Sequence, residues 1–296
     1  MGSTMTEATT RAIEAPGATV TYDVRAGGSP ETPPLFLIGS PMGASGFGTL
    51  ASHFPDRTII TYDPRGAERS TKDDPTSASN PDQHADDLHR IIQEVGGPVD
   101  LFASSGGAVN ALALVAKHPE DVRILVAHEP PLAAMLPDSE NAKAAIRAIQ
   151  SSYQNGGFGA GMAHFIAITS HRGEFPEDFA SQPAPDPAAF GMPTEDDGNR
   201  TDVLLAQNII GTTHYEPDFD ALRRASTRII IAAGAESQGE MANRGAHAVA
   251  KELGTELIVF PSHHGGFLGG ESGWGGQPEA FAAKLREVLS GVPARA

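Results

Sequence analysis

The stretch VDLFASSGG, residues 99–107, joins an apolar strand-like run to the start of a helix-like segment. Its first part is typical of a strand buried on both faces, and residues 108–118, small and apolar nearly all round, predict a buried helix. When the turn is aligned with the pattern G-x-S-x-G, Ser105 takes the nucleophile position, Gly107 the last glycine, and Ala103 replaces the first. Small residues are needed there because the chain reverses so tightly that the serine is strained at its apex. The sequence therefore predicts Ser105 as a nucleophile.

Further short apolar runs lie on both sides of this stretch, each followed by a turn signal. Continuous rather than alternating runs are typical of strands buried in a parallel sheet, and segments with helical spacing lie between them. Such an alternation predicts a doubly wound, mostly parallel α/β sheet. The predicted strands are 35–38, 58–62, 99–103, 123–127, 228–232 and 256–260, and the predicted core helices are 85–95, 108–118, 242–253 and 278–289.

The alternation stops between about residues 132 and 218, where no buried strand is recognisable. Helical spacing recurs at 142–153, 161–168 and 201–210, interrupted by a stretch rich in Pro, Asp and Gly. An insertion of this size between two core strands predicts a mostly helical lid over the carboxyl edge of the sheet. We expect a first core part at 17–131, the lid at 132–218 and a second core part at 219–290.

Four short motifs resemble those of the α/β-hydrolase superfamily, in particular its bacterial serine-hydrolase branch. They are G-S-P-M-G at 39–43, D-P-R-G at 63–66, S-S-G-G at 104–107 and H-E-P-P at 128–131. The resemblance covers about residues 17–290 and implies the α/β-hydrolase fold with a catalytic triad in the chain order serine, acid, histidine. It implies no particular substrate, because this fold hosts many reactions.

The base of such a triad follows the last core strand. Here the loop 260–267 contains two adjacent histidines, His263 and His264. Members of the superfamily usually carry one histidine just before a small residue in this loop, and His264 precedes Gly265. We therefore predict His264 as the base and keep His263 as the alternative.

The acid has two candidate positions, both at the carboxyl edge of the sheet. Glu129 comes two residues after the end of the predicted strand 123–127, and two prolines after it fix the backbone. Glu236 follows the strand 228–232, next to Ser237, which occupies the position where superfamily members most often carry aspartate. The missing aspartate favours Glu129, but both glutamates remain candidates.

The oxyanion of an acyl-transfer intermediate needs backbone N–H donors. One is predicted at Gly106, where the N-terminus of the following helix directs its N–H toward the developing charge. The second is expected in the turn 39–43, which corresponds to the H-G-x-P turn of the superfamily. Ser40 and Met42 are its candidates.

Composition limits the partners. The chain has 37 acidic against 21 Lys and Arg residues, a net charge of -16, which repels nucleic-acid phosphates and anionic lipid. It has no cysteine, which excludes disulfides, thiolate metal sites and a cysteine nucleophile. No pair of histidines has zinc-ligand spacing with a third partner, so we expect no metal and no cofactor. Since no apolar run reaches the length of a signal peptide or membrane span, a cytoplasmic protein acting on a small molecule is expected. The sequence leaves its oligomeric state open.

These features predict a serine hydrolase that cleaves a carboxylic ester or lactone through an acyl-enzyme. Serine rather than aspartate at position 105 argues against the dehalogenase and epoxide-hydrolase chemistries that share the fold. A carbon–carbon bond hydrolase or an amidase on the same triad remains an alternative. A non-catalytic homologue of the superfamily is the alternative from a different class.

Overall fold

A computed structural model describes residues 7–271 and 273–291, and within them one nine-stranded sheet organises the chain. The spatial order is β1-β2-β4-β3-β6-β7-β8-β9, with β5 paired to β2. The strands are β1 Thr9–Ala15, β2 Ala18–Arg25, β3 Leu35–Ile38, β4 Ile59–Tyr62, β5 Thr71–Lys72, β6 Val99–Ser104, β7 Val122–His128, β8 Arg228–Gly234 and β9 Leu257–Phe260.

The sheet is mostly parallel, which confirms the predicted doubly wound α/β fold. From β4 through β3, β6, β7 and β8 to β9 every neighbouring pair is parallel. All six predicted strands are present, and the central ones are buried throughout except for Arg123 of β7, as their continuous apolar runs indicated. The antiparallel additions β1, β2 and β5 were not predicted. Their side chains are largely exposed or half-buried, so they lack such a run.

Helices cover both faces of the sheet. One face packs against α2, α3, α6 and α7, and the other packs against α1 and α8. The helices are α1 Gly48–Ser52, α2 Pro81–Val95, α3 Gly106–Lys117, α4 Ser139–Thr169, α5 Ile209–Thr213, α6 Phe219–Arg224, α7 Met241–Leu253 and α8 Pro278–Ser290.

The segment between β7 and β8 contains α4, a π-helix at Val203–Asn208 and α5. The helices predicted at 142–153 and 161–168 lie on the single element α4, whose helical backbone is broken at Gly157 (φ 76°). The broken turn lies close to Asp196, since a Cβ on this glycine would lie 2.4 Å from that carboxylate. The segment has an apolar cluster of its own, to which Met241 of α7 also belongs. The division of the chain into core and lid stays a prediction.

The segment is joined to the core by polar contacts as well as apolar ones. His84 of α2 and Asn208 of the π-helix are both buried and share a hydrogen bond of 2.7 Å between Nε2 and Oδ1. Beside it, Lys72 Nζ donates to Gln207 Oε1 at 3.1 Å. Buried polar groups must find such partners, and here these bonds fix the π-helix against α2 and β5.

No helix in the described ranges is both long and apolar enough to cross a membrane.

Candidate active site

Ser105 lies at the sharp turn between β6 and α3. Its backbone has φ 57° and ψ -128°, a conformation that a residue with a side chain adopts only under strain. The Ser105 N–H donates to the carbonyl of His128 at 2.9 Å, which ties the turn to the end of β7. Gly106 begins α3 immediately after it, so the serine is at a helix N-terminus. This is the geometry that a nucleophile turn requires.

Close packing explains the glycines of the S-S-G-G motif. A Cβ on Gly107 would lie 2.8 Å from Gly39 Cα, and one on Gly106 would lie 2.5 Å from the carbonyl oxygen of Ser40. The loop after β3 therefore lies directly against the start of α3. Because of this contact, the backbone of Ser40 is held beside Ser105.

The described structure brings Glu129 and His264 together. His264 Nδ1 lies 2.6 Å from Glu129 Oε2, and the carboxylate is fully buried. The other oxygen, Oε1, accepts hydrogen bonds from Gly234 N at 2.8 Å, from Asn243 Nδ2 at 3.1 Å and from the Ser237 hydroxyl. The Glu129 backbone is held at φ 50°. Hydrogen bonds therefore hold both oxygens of this carboxylate, and Oε2 faces the histidine.

Ionisation of Glu129 is favoured by these partners. Burial by itself opposes the charged form, but the hydrogen bond and positive charge of His264 outweigh it, with help from the Ser237 hydroxyl, and lower the pKa to about 2. The carboxylate therefore keeps its charge at neutral pH and can stabilise a protonated His264.

Glu236 lies elsewhere. Its side chain is exposed, and its Oε1 accepts a hydrogen bond from Gln277 Nε2 at 3.0 Å. His263 also has other partners, because its ring stacks on Trp274 at 4.5 Å and its Nε2 lies 3.1 Å from the carbonyl of Gly275. Of the two acid candidates, the described structure brings Glu129 to His264.

One cavity of about 500 Å³ has four of the predicted site residues in its lining. Ser105, His264, Gly106 and Ser40 line it, whereas Met42 is not among its lining residues. Instead, the Met42 side chain lies close to Gly39 and Gly46. The rest of the wall is mainly apolar, and its large members are Ile146, Phe165, Ile166, Leu204, Ile209, Met241 and Trp274.

Ser105 and His264 share this cavity without a direct hydrogen bond between their side chains among the described residues. Catalytic hydrogen bonds are often long or poorly aligned before substrate binds. A serine and a histidine that line one cavity, with the histidine ring held by the carboxylate of Glu129, are what a serine–histidine pair requires.

His128, the last residue of β7, lies next to Glu129 in the chain, and the sequence indicated no role of its own for it. It is fully buried, its Nδ1 lies 3.3 Å from Ser104 Oγ, and its ring is 6.1 Å from that of His264. The surrounding aromatic rings include Phe281 at 5.3 Å. Burial lowers its pKa to about 4, so the ring is neutral at physiological pH.

This burial predicts acid sensitivity. Both His84 and His128 have their pKa lowered by burial from 6.5 to about 4. A lowered pKa means that each neutral ring stabilises the fold fully above pH 6.5 and loses that contribution as the pH falls toward 4. We expect the free energy of unfolding to fall by about 3 kcal/mol for each histidine across this window. Urea denaturation at a series of pH values measures it.

His128→Asn supplies the comparison, since asparagine can still face Ser104 but does not titrate. Its unfolding free energy should depend less steeply on pH than that of the wild type, by about 3 kcal/mol over the same range. An identical pH dependence in the two proteins would contradict the assignment.

The cavity lining has few side chains that could ligate a metal ion or bind a charged cofactor. Its wall offers the carboxylate of Glu240, which is paired with Arg172 at 3.2 Å, and the ring of His264, which is held by Glu129. Within the described ranges, the group of side chains with metal-ligating atoms close together lies outside this cavity.

Comparisons with known proteins find hydrolases by sequence. The sequence model of the alpha/beta hydrolase family matches residues 35–284. The uncharacterized hydrolase YraK of Bacillus subtilis (strain 168) is 30% identical over 263 residues, which cover 86% of this chain and 89% of that protein.

Solved structures agree in fold. A thermophilic esterase from Thermogutta terrifontis superposes with a TM-score of 0.64 at 19% identity, covering 96% of this chain and 98% of that one. The thioesterase domain from the curacin biosynthetic pathway superposes with a TM-score of 0.60 at 16% identity, covering 96% and 99%. Likeness at such identities shows the fold alone.

Proposed function

We propose that this chain, which belongs to the alpha/beta hydrolase family, is a serine hydrolase that cleaves a neutral carboxylic ester or lactone through an acyl-enzyme. The observation that carries the proposal is the strained turn of Ser105 in the lining of the same cavity as His264, whose ring is hydrogen-bonded to the buried carboxylate of Glu129. Esterase and thioesterase domains among the structural relatives are compatible with it.

In the proposed mechanism, Ser105 Oγ forms a bond to the substrate carbonyl carbon while its proton moves to His264 Nε2. Glu129, bonded to Nδ1, keeps the ring in the required tautomer and stabilises its positive charge. The carbonyl oxygen becomes an oxyanion and is stabilised by the backbone N–H groups of Gly106 and Ser40. Collapse of the intermediate breaks the bond to the alcohol oxygen, which takes the proton from His264. Water then repeats the sequence and releases the acid.

The second oxyanion donor is assigned to Ser40 rather than Met42. Ser40 lies against Gly106 and lines the cavity, whereas Met42 does not. Within the described residues neither Ser40 N nor Gly106 N has a hydrogen-bond acceptor in the protein. Two such N–H groups beside a nucleophile are the donor pair that an oxyanion needs.

The segment 132–218 serves as the lid of this site in our proposal. Ile146 and Phe165 of α4, Leu204 of the π-helix and Ile209 of α5 all contribute to the cavity wall. Enclosure by apolar side chains excludes water, which strengthens the electrostatic interactions with the oxyanion.

The chemistry of the wall favours a neutral, apolar acyl group. No Lys or Arg side chain lines the cavity in the part of the chain that the structure describes. A carboxylate or phosphate on the substrate would therefore lose its hydration without gaining a cationic partner, at a cost of several kcal/mol. Added methylene groups, by contrast, gain about 0.8 kcal/mol each when they are buried.

We therefore expect kcat/KM on p-nitrophenyl esters to rise roughly fourfold per methylene until the cavity is full, and then to fall. An ester with a terminal carboxylate should be turned over at least about 100-fold more slowly than the neutral ester of equal length. Lactones, thioesters and amides in the same assay identify the scissile bond.

The variant Leu204→Trp tests the position of the acyl group, because it fills part of the cavity and should shift the preference to shorter esters. Phe158→Trp is the matched control, since Phe158 is exposed and does not line the cavity. Failure on every ester and lactone would contradict the proposed function. Turnover of carbon–carbon or amide substrates in that case would favour the other reactions of the same triad.

A further inference from the structure

A second cluster of chemistry-bearing side chains lies at the opposite end of the sheet from Ser105. His89 is on α2, His118 directly follows α3, and Asp121 ends the short turn before β7. Since β7 begins at Val122, this turn is at the amino end of the strand, whereas the cavity is at the carboxyl ends. The cluster is therefore separate from the proposed catalytic site.

The three side chains already converge. One ligand-type atom from each of His89, His118 and Asp121 lies within 4.8 Å of the others. His89 Nδ1 is 2.6 Å from Asp121 Oδ2, and the two imidazole rings stack with centroids 3.8 Å apart. Glu120 adds a carboxylate oxygen 3.5 Å from His118 Nδ1. Two imidazoles and one or two carboxylates make a donor set that zinc and its neighbours prefer.

The surroundings support a cation there. Asp121 is buried, and its second oxygen accepts a hydrogen bond from Gln93 Nε2 at 3.0 Å, which orients the carboxylate as an outer-sphere partner does. The histidine side chains remain about a quarter exposed, at 29% and 26%, so an ion can enter.

We propose that His89, His118 and Asp121 bind one zinc-class divalent cation, with Glu120 or water completing the coordination. Zinc bonds of about 2.0–2.2 Å place tetrahedral ligand atoms about 3.3 Å apart. His89 Nδ1 and Asp121 Oδ2, now 2.6 Å apart, would therefore separate slightly, and one of the stacked rings would turn about its Cβ–Cγ bond. The partial exposure of both rings allows this. The ion would tie α2, the end of α3 and the start of β7 together, and so stabilise the fold.

The test uses the full chain after treatment with a chelator and titrates it with zinc by calorimetry at neutral pH. We expect one ion per chain with micromolar affinity, and a rise in the melting temperature of about 5 °C at saturating zinc. Cobalt in the same site should give the visible absorption of a four-coordinate ion with nitrogen and oxygen ligands.

His118→Gln and Asp121→Asn should each weaken zinc binding by at least about 30-fold and cut the melting-temperature rise to less than about half. His247→Gln, an exposed histidine on α7, is the matched control and should bind zinc like the wild type. If Asp121→Asn fails to fold, His118→Gln carries the test, because that side chain is partly exposed. Affinity no better than millimolar, or equal affinity in wild type and His118→Gln, would overturn the proposal. Neither result would affect the proposed hydrolase activity, because the cluster lies outside the cavity.

Discussion

Ser105→Ala is expected to lower kcat on the best ester substrate by at least about 10⁴-fold, because the variant has no nucleophile to form the acyl-enzyme. Removing the hydroxyl changes neither the backbone turn nor the cavity wall, so KM should change little. The residual rate would come from the oxyanion donors alone. Steady-state kinetics, with the folded state checked by circular dichroism, measure the effect.

Ser104→Ala is the matched control for this prediction. Ser104 is the preceding residue, and its hydroxyl contacts His128 rather than the cavity. We expect Ser104→Ala to keep at least about a tenth of the wild-type kcat, because the loss of one neutral hydrogen bond changes the free energy only modestly. A similar collapse in both variants would indicate a structural effect and contradict the role given to Ser105.

Glu129→Gln is expected to lower kcat by about 10⁴-fold. The amide cannot stabilise a protonated His264, and it can hold the ring in the wrong tautomer. Glu236→Gln should stay within about twofold of the wild type, because Glu236 is exposed and bonded to Gln277. The pair is matched, since each variant replaces a glutamate by its isosteric amide.

A second-site substitution makes this prediction sharper. The Ser237 hydroxyl bonds to Glu129 Oε1, so an aspartate at position 237 would place a carboxylate beside the site of the lost one. We expect Ser237→Asp to raise the activity of the Glu129→Gln variant at least tenfold, which no purely structural role of Glu129 would explain. Large losses in Glu236→Gln with little loss in Glu129→Gln would show that the acid is Glu236.

The sequence was most informative where burial leaves a continuous apolar run. Strands such as 35–38 and 99–103 could be located because both their faces are covered, and the turn at Ser105 because its chemistry demands small neighbours. The β1–β2 hairpin was not predicted because its outer face is exposed to solvent, so polar and apolar residues occur together in both strands.

The acid could not be settled from sequence because the two candidates end neighbouring strands. Glu129 follows β7 and Glu236 follows β8, and these strands are paired in the sheet, so both lie near the histidine loop. What separates them is side-chain direction, which depends on the φ of 50° at Glu129 and on the contacts of Asn243. Neither feature leaves a signal in a single sequence.

Polar pairs between residues far apart in the chain could not be predicted either, because such contacts leave no signal in a single sequence. By its spacing Asp87 belongs to the outer, polar face of α2, yet it is fully buried and receives two hydrogen bonds from Arg65, at 2.7 and 2.8 Å. The hydrogen bond that Asn208 of the π-helix accepts from His84 likewise depends on a residue more than a hundred positions away. Helical periodicity predicts which residues share one face of a helix, but it does not predict which residues of another segment pack against that face.

The most direct test of the central claim is labelling with a fluorophosphonate, which reacts with an activated serine, followed by intact mass measurement and peptide mapping. We expect one adduct per chain, located on Ser105, and none in Ser105→Ala. Absence of any adduct, or an adduct on another serine, would contradict it.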